Sequence, residues 1–149
     1  MIVKIGYPRK MRIQRSSGRR LVRASLLAIS TSTAANLGLY AEAGYIFPEV
    51  AAWTGTGPVQ IVVATIVYLL IATLVFGAIK RLSSRPARHY LIVASIALLL
   101  SMGPPIALGS SYGLPGMPPA DAVVAITLGL MHVVSFAISV PIFIRLALD

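Results

Sequence analysis

Cysteine is absent from this chain of 149 residues. That removes disulfides, thiol redox chemistry, iron–sulfur clusters and cysteine-based zinc sites in one step. Charge is scarce as well: 11% of the residues are charged, against roughly a quarter in soluble proteins. Only four side chains are acidic, Glu42, Glu49, Asp121 and Asp149. They are separated along the chain, so they signal little as cation ligands. There is no P-loop and no dinucleotide-binding fingerprint. A serine–histidine–acid triad is excluded too, because His132 has no acid nearby in the sequence pattern. No motif supports enzymatic activity, and no catalytic or metal-binding residue is assigned.

What the chain does have is apolar length. Apolar residues make up 57% of it and the mean hydropathy is +0.85. Four stretches, about 21–43, 59–79, 88–105 and 122–144, are long enough to cross a hydrocarbon core of about 30 Å as helices. The bases follow this threading. Eight precede or open the first stretch: Lys4, Arg9, Lys10, Arg12, Arg15, Arg19, Arg20 and Arg23. Lys80, Arg81, Arg85 and Arg88 lie between the second and third, and Arg145 follows the fourth. The two connections on the other side hold only Glu42, Glu49 and Asp121. Lys and Arg are retained on the cytoplasmic side during insertion. The expected fold is therefore an all-α membrane protein, a four-transmembrane-helix bundle with N and C termini cytoplasmic. Its expected location is the bacterial cytoplasmic (inner) membrane, multi-pass. The +9 net charge flanks membrane segments rather than covering a folded surface, so anionic lipids are expected partners and nucleic acid is not.

The start resembles a secretory signal ending at Ala41-Glu42-Ala43, but the basic region is long. Ala24–Ala41 is an uncharged run of 18 residues, beyond the usual core of about 7–15. It reads as a retained first helix. Two parts follow: a basic cytoplasmic tail over 1–20, with no helical apolar period and expected to be disordered alone, and a four-helix transmembrane domain over 21–149. Pro48-Glu49-Val50-Ala51-Ala52-Trp53 has the pattern of a short interfacial helix with proline at its first position. Pro104-Pro105 must bend or end the third helix, because two donors are lost. A kink is expected near Pro141.

His132 is the most informative polar residue, because it falls near the middle of the fourth helix. Ionisable groups at that depth face a partner or a cavity. Ala125, Gly129, Ser135 and Ser139 share its stripe. Four readings stay open: a proton relay, a hydrogen-bond donor in a pocket, an axial ligand to a haem or chlorophyll-type pigment, and a neutral imidazole bonded to a neighbouring helix. The first helix carries its own stripe of Ser25, Ala28, Ser32, Ala35 and Asn36, suited to close packing. Asn36, Gln60 and the Pro104-Pro105 step lie in the same outward half of the bundle. With carbonyls freed at Leu100 and Ser101, these residues and His132 form the candidate lining of a hollow.

Two segments carry a family resemblance. Leu99-Leu100-Ser101-Met102-Gly103-Pro104-Pro105 and Ala125-Ile126-Thr127-Leu128-Gly129-Leu130-Met131-His132 resemble small bacterial four-helix membrane proteins. These are catalogued as a domain of unknown function and found in actinobacteria and Chloroflexi-like bacteria. The resemblance covers roughly residues 24–147 and implies a fold and a location but no activity. The leading functional expectation is a non-catalytic accessory subunit of a larger membrane complex, photosynthetic or respiratory. It would pack on other subunits through its helices and dock through Lys4, Arg9, Lys10, Arg12, Arg15, Arg19 and Arg20 on protein or anionic lipid. The alternative is a small-molecule, quinone or pigment-binding protein using His132. A small transporter ranks third, since the first helix has a carboxylate only at its end, at Glu42, and the base asymmetry forbids dual topology.

Overall fold

The computed structural model describes residues 9–110 and 115–148, and every regular element in them is a helix. In order these are α1 (Arg9–Ile46), α2 (Pro48–Ala52), α3 (Pro58–Leu82), α4 (Pro86–Ser101), α5 (Gly103–Leu108) and α6 (Ala122–Leu148). Prolines open α2, α3 and α4, where the missing N–H has no intrahelical partner to lose. Three spans are long and apolar enough to cross a membrane: Pro58–Leu82, Pro86–Leu108 and Ala122–Leu148.

The first helix starts earlier than the expected boundary near residue 21: residues 9–20 extend α1 by three turns upstream of the apolar run. The downstream helix removes the cost of nucleation, so each added residue gains a hydrogen bond. Arg, Lys, Met and Gln are good helix formers, and one glycine, Gly18, does not stop them. Lys4 lies outside the described residues.

α1 runs antiparallel to α3 and α6 and packs along both. Its buried face is Ala24, Ser25, Ala28, Ser32 and Asn36, a stripe of small and polar side chains at helical spacing that lets the backbones approach. Ser25 and Thr73 share a hydrogen bond of 2.8 Å across to α3. One end of the bundle is closed by an aromatic cluster. Phe76 of α3, Tyr90 of α4 and Phe143 of α6 meet with centroids 4.8 to 5.8 Å apart. Ala24, Ala28, Val140 and Ala147 complete it. The Lys80 ammonium donates to the Ala147 carbonyl at the same end. At the opposite end Ala43, Val50 and Val124 pack with Tyr40 and Trp53. The charges sort with the ends. Arg19, Arg20, Arg23, Lys80, Arg81, Arg85, Arg88 and Arg145 belong to the aromatic end, and Glu42, Glu49 and Asp121 to the other.

The third apolar stretch is divided. α4 stops at Ser101, and after Met102 the chain restarts as α5 through Pro104 and Pro105. Neither proline offers an N–H to the carbonyls of Leu100 and Ser101, so the ladder breaks there. Close approach of α5 to α6 depends on Gly109, since a Cβ there would lie 2.8 Å from that of Ala125. α6 continues through Pro141 to Leu148 without a break.

Candidate functional site

Between the two packed ends the middle of the bundle is hollow. α4 touches α3 and α6 but does not approach α1, and the space behind it forms a cavity of about 490 Å³. That size lies within the range of small-molecule sites, about 300–1,000 Å³. Its walls are largely Ala, Val, Leu and Ile from α3, α4 and α6. Among the described lining residues there is no Lys, Arg, Asp or Glu.

Polar side chains interrupt the apolar wall and come from different helices. Asn36 reaches in from α1, where it is only 3% exposed. Its Nδ2 donates to Thr65 Oγ1 of α3 at 3.1 Å and to Ser135 Oγ of α6 at 2.9 Å. Its Oδ1 is buried without a partner. A carboxamide has two hydrogen-bonding edges, and here one edge holds both hydroxyls while the other holds nothing. The asymmetry survives a flip of the amide. His132 of α6 also lines the cavity, half-buried, with the Tyr68 ring edge-on at 6.1 Å. Ser139 and Ser101 add hydroxyls, although Ser101 Oγ is engaged by the Leu98 carbonyl at 2.7 Å.

The structure places Asn36, Gln60, Pro104 and His132 on this one cavity. Pro105 is not on it. Pro105 is buried toward α6, its Cβ within 3.9 Å of where a Cβ on Gly129 would stand. Leu100 points outward, 74% exposed. Among the docking candidates, Arg19 and Arg20 are exposed, and Arg9, Lys10, Arg12 and Arg15 lie on the helical extension of α1.

Sequence pattern missed Thr65, Tyr68 and Tyr90, which looked like ordinary helix fillers. It also missed the strap from Trp53 to Gly57. Trp53, Gly55 and Thr56 line the end of the cavity near Gln60, and Trp53 Nε1 donates to the Pro119 carbonyl at 3.2 Å. The indole lies against Gly55, where a Cβ would be 2.2 Å from Cζ2. Among the described residues, no three His, Asp or Glu side chains converge on a point.

Residues 16–149 match the family described as "Family of unknown function (DUF6069)", and the chain belongs to that family. No curated protein matches the chain. No solved structure matches it either.

Proposed function

We propose that this protein is a four-span membrane protein that holds a small, uncharged, lipophilic molecule bearing a hydroxyl or N–H in its central cavity, the reduced quinol form of a quinone being one kind of molecule that fits. The observation that carries the reading is the Asn36 amide. It is nearly fully buried, bridges three helices, and keeps one edge unpaired beside an apolar space of about 490 Å³. A buried polar edge without a partner costs about 1–3 kcal/mol. A bound hydroxyl or N–H supplies what that edge lacks, and His132 offers a second polar contact on the same wall. The described lining carries no Lys, Arg, Asp or Glu, so an ion there would meet no counter-charge from it, which supports an uncharged ligand.

The fourth crossing rests on α1. Its apolar stretch is diluted by Ser, Thr and Asn, yet Ser25, Ser32 and Asn36 are buried on the face packed along α3 and α6, and the outward Ser30 and Thr31 hydroxyls donate to the Leu27 carbonyl of the same helix. A helix paired along two spans occupies the bilayer with them. With α1 as a span, all thirteen bases fall on one side, which the positive-inside rule makes cytoplasmic, with both termini there. The bacterial inner membrane is the location this supports.

A second reading, an accessory subunit docked by its basic arm, draws on the extension of α1. Arg19, Arg20 and Arg23 are exposed, and the carboxylates among the described residues lie at the opposite end. The arm is therefore free for an acidic protein surface or anionic lipid. Both roles are compatible in one chain.

The test of the binding role is native mass spectrometry and an absorption spectrum on protein extracted with its surrounding lipid. The expected result is a discrete small molecule retained by the parent and lost from His132→Ala and Asn36→Leu. A parent particle carrying no such molecule sinks the reading, and a visible band unchanged in His132→Ala removes pigment ligation.

A further inference from the structure

Residues that line a cavity and are also open on the outside mark its mouth. On α3, Tyr68 and Ile71 line the cavity and are 58% and 52% exposed. Facing them on α4, Val93 lines it and is 41% exposed, and Ala97 is exposed as well. These four stand about halfway along their helices, so the mouth opens sideways at the depth of the apolar spans. Toward the acidic end the same slit continues to Gln60 and Pro104. There the strap crosses it, with Trp53 tied to Pro119 and packed on Gly55. The far end is closed by the Phe76, Tyr90 and Phe143 cluster.

We infer that the cavity is filled from the hydrocarbon phase, through the gap between α3 and α4, by an uncharged single-chain amphiphile bearing a hydroxyl or N–H. The inference rests on the binding role proposed above and adds the route and the ligand class. Each wall property points the same way. The mouth residues are aliphatic or aromatic, so a hydrated ion has nothing to exchange its water for. An apolar chain loses nothing on passing from lipid into a lipid-like cleft. Its hydrogen-bonding head, poorly solvated in hydrocarbon, gains a partner at the unpaired edge of Asn36.

The test uses light-activated carbene probes in nanodiscs, with adducts located by peptide mass mapping. The probe is a long-chain alcohol carrying a diazirine, and its comparator is the matching carboxylate held ionised. The alcohol is expected to label inner-wall residues of α6, such as Met131 and Phe136, as well as outer-face residues such as Leu74 and Leu99. Ala97→Trp and, separately, Ile71→Trp fill the mouth and should remove the inner adducts while the outer ones persist, which also reports that the fold is intact. No inner adducts in the parent, or inner adducts unchanged in both variants, overturns entry between α3 and α4. Equal inner labelling by the carboxylate overturns the uncharged class. These readouts need no natural ligand, so they fail separately from the search for a retained molecule.

Discussion

Under the proposed binding role Asn36 joins stability and binding in one side chain, and two substitutions pull them apart. Asn36→Ala removes two interhelical hydrogen bonds and leaves the Thr65 and Ser135 hydroxyls facing a gap. Within a membrane such bonds are worth about 0.6 kcal/mol each, so a loss of about 1–2 kcal/mol is expected in denaturation of the purified protein. Asn36→Leu replaces the amide with apolar volume and should cost less, because burying an unpaired edge is itself unfavourable. Both should release the bound molecule. A leucine variant that keeps its ligand at parental level would show that the amide serves packing alone. Gly55 offers a separate reading at the same scale. Any Cβ there meets the indole of Trp53 at 2.2 Å, so Gly55→Ala must move the ring and break its bond to Pro119. Trp53 is the single tryptophan, and its emission should shift to the red. An unchanged spectrum would mean that the strap absorbs the extra atom without moving.

Helix by helix, the two ends of the bundle differ in what holds them. The aromatic end joins α3, α4 and α6 through rings with little or no exposure. Phe143→Ala opens a space that neither neighbour can fill, and large-to-small changes of this kind cost about 3–5 kcal/mol in packed cores. Leu74→Ala, on an outward face 74% exposed, should cost a small fraction of that in the same denaturation measurement. Comparable losses in the two variants would mean that the cluster is not the bundle's anchor. Much at this scale was legible in the sequence. The small-residue stripe of α1 and the short helix at Pro48 follow from side-chain size and proline placement, and the structure has both. The Pro104-Pro105 step ends α4 as the missing donors require, but the chain turns helical again at once. The extension of α1 to Arg9 was not legible, because polarity argues for disorder while an existing helix makes continuation cheap. The cavity was legible only as a set of polar residues in one half. Its walls depend on how far α4 stands from α1, and no residue pattern encodes that distance.

For the molecule as a whole, the number of crossings decides which compartment the arm, the strap and the terminus face. Three spans alone would place residues 54–57 and the segment after α6 as an odd threading dictates, with the bases before α3 parted from those after α6. A fourth span along α1 brings every base to one side and Glu42, Glu49 and Asp121 to the other. Translocating Lys or Arg is strongly disfavoured, and this is what supports the even threading proposed above. It has a measurable consequence at both ends of the slit. Fluorescent-protein fusions ahead of Met1 and after Asp149 should both fold and fluoresce, whereas an alkaline phosphatase inserted after Thr54 should be active, as that enzyme is only outside the cytoplasm. Inverse signals at all three positions would turn the bundle over, and a dark fusion ahead of Met1 beside a fluorescent one after Asp149 would leave α1 outside the bilayer. Under the proposed orientation Arg19, Arg20 and Arg23 would face the anionic leaflet, where each base contributes about 1 kcal/mol within a screening length. Deleting residues 2–20 should therefore weaken association with anionic lipid in a manner that rising salt reproduces in the intact chain. If salt has no effect on the intact chain while the deletion still detaches it from its neighbours, the arm grips a protein surface instead.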